Sequence, residues 1–163
     1  SVRVTRTIDV NIPAGVDNDT RLRVRGEGEV GPGGAGDLYI YIRVKQHAVF
    51  RRTGQDIEMQ LPVDYLIAAL GGEISVPSLN GAVTMKIPAG TQSGKVFRLK
   101  GKGMPHVRVD STGDQYVQVM IHVPEKVSAD EKRMLEELAA LRGVTAGSKE
   151  KDSPFEKVKK IFK

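Results

Sequence analysis

Ile12-Pro13-Ala14-Gly15 returns as Ile87-Pro88-Ala89-Gly90, and Leu22-Arg23-Val24-Arg25-Gly26-Glu27-Gly28 returns as Phe97-Arg98-Leu99-Lys100-Gly101-Lys102-Gly103, both at an offset of 75 residues. After a two-residue insertion, Gly36-Asp37-Leu38-Tyr39-Ile40 returns as Gly113-Asp114-Gln115-Tyr116-Val117. Three blocks kept in one order at a nearly fixed spacing mean two copies of one supersecondary unit. The fold is therefore read as a tandem pair.

Each copy shows the alternation of half-buried strands, in which every second side chain meets the core. In residues 4–12, Val4, Ile8, Val10 and Ile12 share a face with Arg6, and Pro13 and Gly15 end the run. Leu22 and Val24 alternate with charges up to Gly26. Leu38, Ile40, Ile42 and Val44 form a third row, with Tyr39 and Tyr41 on the opposite face. Copy two repeats these strands at residues 83–87, 96–100 and 116–123. Most of Val10, Ile12, Val24, Ile42 and their counterparts are expected in the core.

Between the copies, Ile57, Met59 and Leu61 alternate, and Asp64 then opens a short helix over 65–70. Gly71-Gly72 closes it, because glycine accepts the left-handed backbone at a helix C-terminus. Ile74 and Val76 begin another strand. Copy one has no equivalent of this lead-in. Its opening strands are expected before Ser1, so the chain reads as a fragment whose first domain is incomplete.

Farther on, Ser128-Ala129-Asp130-Glu131 is a capping box. It starts a helix with Met134, Leu135, Leu138 and Leu141 on one stripe. Residues 145–152 are a polar linker. Phe155, Val158, Ile161 and Phe162 then fall on one face of a last short segment rich in lysine. A helix so short is not stable alone, and two-fold pairing of identical stripes is a common way to bury one. These four residues are expected to hold a homodimer together.

The expected architecture is mainly β: two small β-sandwich-like domains in tandem with short helices. Residues 1–52 form the incomplete first domain and residues 53–143 the second with its terminal helix. Residues 144–163 form a linker and a C-terminal dimerisation helix. The 18 glycines and 8 prolines among 163 residues suit short strands and tight turns.

Composition narrows the function classes. The absence of cysteine removes disulfides and thiolate metal sites, and it fits a reducing, cytoplasmic setting. No apolar run approaches the roughly 20 residues of a membrane span, so no membrane partner is expected. The net charge is +5, but residues 149–163 hold six lysines against three acids, which leaves the body only weakly basic. With aromatics at 5% and no tryptophan, a nucleic-acid partner is not expected.

No motif asks for catalysis. The glycines from Gly26 to Gly31 have dinucleotide-fingerprint spacing, but a Gly/Pro-rich loop follows where a helix is required, and two acids would repel phosphate. The segment Gly90-Thr91-Gln92-Ser93-Gly94-Lys95 is one residue short of a P-loop and lacks its Ser or Thr, so it reads as a hairpin turn. His47, His106 and His122 lie in unlike contexts without ligand spacing, and no Gly-x-Ser-x-Gly elbow is present. Neither an enzyme nor a cofactor is expected. An apolar surface beside a free strand edge instead suits the holding of an extended peptide.

Gly71-Gly72-Glu73-Ile74-Ser75-Val76-Pro77-Ser78-Leu79-Asn80-Gly81, Ile87-Pro88-Ala89-Gly90-Thr91-Gln92 and Leu99-Lys100-Gly101-Lys102-Gly103-Met104-Pro105 closely resemble the C-terminal region of the DnaJ family. These are co-chaperones of the forty-kilodalton heat-shock class. The resemblance runs from about residue 7 to residue 141, and residues 155–163 are similar to the family's tails. It implies two β-rich domains followed by a dimerisation element. It also implies binding of unfolded polypeptide clients, which the intact protein passes to a DnaK-type chaperone. A peptide groove on the first domain is implied too, with Ile8 and Ile40 at matching positions. The family's His-Pro-Asp J-domain motif and its Cys-x-x-Cys-x-Gly-x-Gly zinc module have no counterpart in this sequence. The family inserts the zinc module within the first domain, which would set Ser1 just after it. A structural spacer and dimeriser without client binding is the alternative reading, and a nucleic-acid-binding β module is a third.

Overall fold

The structure is a computed structural model that describes residues 3–144 and 154–161. It divides into two compact units, Ser1–His122 and Val123–Lys163. In the first, the strands in chain order are β1 (Arg21–Val24), β2 (Val30–Gly31), β3 (Gly34–Ala35), β4 (Leu38–Tyr41), β5 (Arg51–Thr53), β6 (Asp56–Asp64), β7 (Gly72–Ser78), β8 (Gly81–Ile87), β9 (Val96–Leu99) and β10 (Gln115–His122). A helix, α1 (Tyr65–Leu70), stands between β6 and β7. The chain is thus mainly β, as its alternating pattern requires.

Copy two is a packed sandwich. Its main sheet runs β5-β6-β10-β9, with β10 parallel to β6 and antiparallel to β9. The β7–β8 hairpin is a separate antiparallel sheet. Met59 and Val63 of β6, Val76 of β7, Met85 and Ile87 of β8, and Val117 and Val119 of β10 form one buried cluster between them. The two-residue period aims each of these side chains inward. Full burial of one such side chain stabilises by about 1.5–3 kcal/mol. Asp64 caps α1 by accepting from the Leu66 N–H at 2.8 Å. Gly71, at φ 80, ends it and returns its own N–H to the Ile67 carbonyl.

Copy one keeps the local pattern without the burial. Strands β1 and β4 pair antiparallel, with Leu22 opposite Ile40 and Val24 opposite Leu38. The glycine-rich stretch folds as a small hairpin of β2 and β3, with no helix behind it to hold a phosphate. Residues 4–12 were expected as a strand, but no strand is assigned there, and Val4 and Ile12 are 79% and 61% exposed. A strand exists only in a ladder. The counterpart of β8 in copy one is residues 6–12, and no pairing with it is present among the described residues. Val10, Val24 and Ile42 are half-buried rather than core.

In the second unit, α2 (Ala129–Leu141) begins at the expected capping box. Ser128 Oγ accepts from the Glu131 N–H at 3.1 Å, and Glu131 Oε2 accepts from the Ser128 N–H at 2.6 Å. On the α2 stripe Met134 is 62% and Leu141 83% exposed, while Leu135 is half-buried. The last helix, α3, is Pro154–Ile161. No helix among the described residues is long and apolar enough to cross a membrane.

Candidate functional site

The β1–β4 pair presents one apolar face. Leu22, Val24, Leu38 and Ile40 share it by alternation, and all four are half-buried. Ile8 is also half-buried, on the run that lies outside any ladder. Neither Ile8 nor Ile40 belongs to the buried cluster, and no strand pairing joins their two segments. The Ile8 run is tied to copy one's loop by an ion pair between Arg6 and Glu27.

A carboxylate fixes the turn after β1. Asp37 Oδ1 accepts from the Gly26 N–H at 3.0 Å, and Arg23 Nε donates to Oδ2 at 2.6 Å. The Gly26 N–H first, and then the Arg23 guanidinium, hold the Asp37 carboxyl below the usual aspartate value. The same hook recurs in copy two. There Gly101 and Arg98 donate to Asp114 at 2.8 Å each, and its carboxyl is likewise held low, chiefly by the Gly101 N–H. The repeat of Arg-x-x-Gly with a distant Gly-Asp was visible in sequence, but its role as a turn clamp was not read there.

Arg52 joins the copies, a role no sequence signal announced. Its guanidinium donates to the Val16 carbonyl at 2.7 Å and the Gly15 carbonyl at 2.8 Å, and Asp17 lies 3.5 Å away. Gly15 is buried, and a Cβ there would overlap the Pro105 carbonyl of copy two. Beside this joint opens a cleft of about 530 Å³, lined by Asn18, Val44, His47, Phe50, Leu79 and Met104 among others. His47 shapes its rim: Nδ1 accepts from the Val49 and Phe50 N–H groups at 3.0 and 3.2 Å. His106 Nδ1 accepts from the Arg108 N–H at 3.1 Å, so both histidines serve turns.

Among the described residues no cluster of His, Cys, Asp and Glu has the make-up of a metal site. Of the four residues assigned to dimerisation, Val158 and Ile161 lie on α3, 52% and 75% exposed. Phe155 falls within α3, though its side chain is not described, and Phe162 lies outside the described residues.

Residues 1–124 match the model of the DnaJ C terminal domain. Among curated proteins, the chain is 49% identical to Chaperone protein DnaJ of Brevibacillus choshinensis over 99% of its length and 44% of that protein's. It is 48% identical to Chaperone protein DnaJ of Dictyoglomus thermophilum over 99% of its length, and 44% identical to that of Clostridioides difficile over all of it. It spans less than half the length of the relatives it matches, 42% and 43% in the last two. With the repeated β units and the turns they share already explained by its residues, the chain belongs to the DnaJ family and carries that family's C-terminal domain.

Proposed function

We propose that this chain is the client-holding and dimerising part of a chaperone. It takes up exposed apolar segments of unfolded polypeptides, and the intact protein delivers them to a DnaK-type partner in the cytoplasm. It carries out no chemistry and needs no cofactor of its own. The observation that carries the reading is the half-buried apolar face of copy one, where Ile8 and Ile40 stand outside the buried cluster, while their repeat counterparts Val83, itself half-buried, and Val117 pack against or within it. Client side chains buried there contribute roughly 25 cal/mol per Å² of apolar area. Strand addition along the open edge supplies direction.

In this reading residues 1–52 and 53–143 act as two β-domains, and residues 144–163 link and dimerise. Phe155, Val158, Ile161 and Phe162 pair across a two-fold axis, so that two holding surfaces act on one client and raise avidity.

The test is Ile8→Ser with Ile40→Ser, read by suppression of client aggregation beside melting temperature. The expected result is several-fold weaker holding with stability lowered by less than about 1 kcal/mol, short of the roughly 2–5 kcal/mol of a core truncation. Unchanged holding would leave the spacer reading in its place. Sedimentation with and without residues 154–163 tests the pairing: dimer with them, monomer without.

A further inference from the structure

The β1–β4 pair has a second face, opposite Ile40. The register sets Arg21 against Tyr41 and Arg23 against Tyr39, and Arg25, in the turn after β1, and Arg43, just past β4, come two residues beyond the last arginine and tyrosine of each row in sequence. All six residues are exposed, Tyr39 by 44% and Tyr41 by 68%. The same places in copy two hold Val96, Arg98, Lys100, Tyr116, Gln118 and Met120, which supply two cations rather than four. The charge is therefore a property of copy one and not of the repeat.

Two of its cations are already engaged. Arg23 holds Asp37, and the Arg21 guanidinium lies 4.8 Å from the centroid of the Tyr39 ring. Arg25 and Arg43 make no ion pair within 4 Å among the described residues, although the Arg25 charge also helps to hold the Asp37 carboxyl low.

We propose that this face binds an extended, acidic segment of polypeptide. The guanidinium fork matches a carboxylate in two hydrogen bonds, and the row already receives one carboxylate, that of Asp37, at 2.6 Å. Neighbouring arginines on one face of a strand stand about 6.6–6.8 Å apart, twice the rise per residue. That is also the spacing of alternate side chains in an extended peptide lying beside them. Tyr41 offers an open ring for the peptide's stem between charges. A single-stranded nucleic acid fits less well. Its bases stack on successive open rings, and Arg21 already covers one face of Tyr39. The nearby acids Asp19, Glu27, Glu29 and Asp37 also oppose a continuous row of phosphates more than spaced carboxylates. The proposal does not depend on client holding at Ile8 and Ile40, which lie away from this face or on another segment.

The test uses the whole chain and fluorescence anisotropy of a labelled peptide of about a dozen residues that alternates Glu with Thr. Binding is expected at about 50 mM salt and should weaken at least about fivefold by about 300 mM, because exposed ion pairs are screened. Arg25→Glu with Arg43→Glu should weaken it about tenfold or more, which is about 1.4 kcal/mol. Should that charge reversal disturb folding, Arg25→Gln with Arg43→Gln gives the same direction with a smaller loss. Ile40→Ser should leave the affinity unchanged, which separates this site from the client surface. Four results would overturn the proposal: no binding at low salt, equal binding of the peptide with Gln for Glu, insensitivity to both arginine pairs, or tighter binding of a single-stranded oligonucleotide of equal charge that the arginine pairs abolish.

Discussion

Ile12 and Ile87 sit at the same place in two copies of one motif, yet the first is 61% exposed and the second is fully buried. The local chain does the same thing in both. Gly15 and Gly90 turn at φ 88 and φ 82, and Gly26 and Gly101 both at φ 73. The Arg23–Asp37 hook is the twin of the Arg98–Asp114 hook. What differs is what lies across from each strand. In copy two, β8 pairs with β7 and faces β6 and β10, so Met85 and Ile87 are enclosed. In copy one the equivalent residues Val10 and Ile12 lack that pairing among the described residues. Turns follow from a few adjacent residues, whereas burial needs elements distant in sequence.

The sharpest way to break this comparison is to truncate both members of the pair. Ile87→Ala should cost about 2–5 kcal/mol, as large-to-small core changes do. Ile12→Ala should stay within about 0.5 kcal/mol, as exposed substitutions do. Urea unfolding of both variants measures it, and similar losses would mean that copy one is buried like copy two.

A second, smaller contrast concerns the two turn glycines. Gly15→Ala and Gly90→Ala incur the same left-handed backbone cost, about 1–2 kcal/mol. Around Gly90 a Cβ meets nothing within 4 Å among the described residues, whereas at Gly15 it runs into the Pro105 backbone. Gly15→Ala should therefore be the more damaging by at least about 1 kcal/mol. It should also loosen the Arg52 joint, which faster amide exchange at Gly15 and Val16 would report. Equal melting temperatures for the two variants would show that the joint is not tight.

The twin hooks predict a shared pH response. Both aspartates are held below their ordinary value, so the folded state keeps their charge better than the unfolded state does. Their contribution is whole above the ordinary aspartate value near about 3.9. It is lost as pH falls through the lower folded values, because unfolding then takes up protons. Asp114→Asn and Asp37→Asn should each flatten the acid limb of the stability curve, measured by thermal melts between about pH 2 and 6. A slope unchanged in both would remove the hooks as stabilising elements.

The smallest effect is expected where the copies diverge inside the core. Copy two has buried Gln115 where copy one has half-buried Leu38. Gln115 Nε2 donates to the Pro77 carbonyl at 2.8 Å, while its Oε1 has no hydrogen-bond partner among the described residues. Gln115→Leu loses the first and relieves the second. An unmet buried polar atom and a lost hydrogen bond are each worth about 1–3 kcal/mol or less, so the net change should be within about 1 kcal/mol. Destabilisation well beyond that would mean that Oε1 has a partner, such as a buried water.

Although the strand read over residues 4–12 is not formed and the short strands β2, β3 and β5 were not read, the longer strands of copy two, the β1 and β4 strands of copy one, the turns and the capped helices were legible in the sequence. Each rests on interactions within a few residues: side-chain alternation, Asp64 before α1, Ser128 and Glu131 around the start of α2, and glycines where φ is positive. The stretches 71–81, 87–92 and 99–105 carried the family resemblance as well. Which of two equivalent apolar rows became core was decided only by the tertiary structure, because an isoleucine is buried by the strands set across from it. Tertiary structure also brought Arg52 to the Gly15 carbonyl across 37 residues, and it set the arginines and tyrosines of β1 and β4 on one open face through their register. Such contacts depend on chain closure over long separations, which no local pattern encodes.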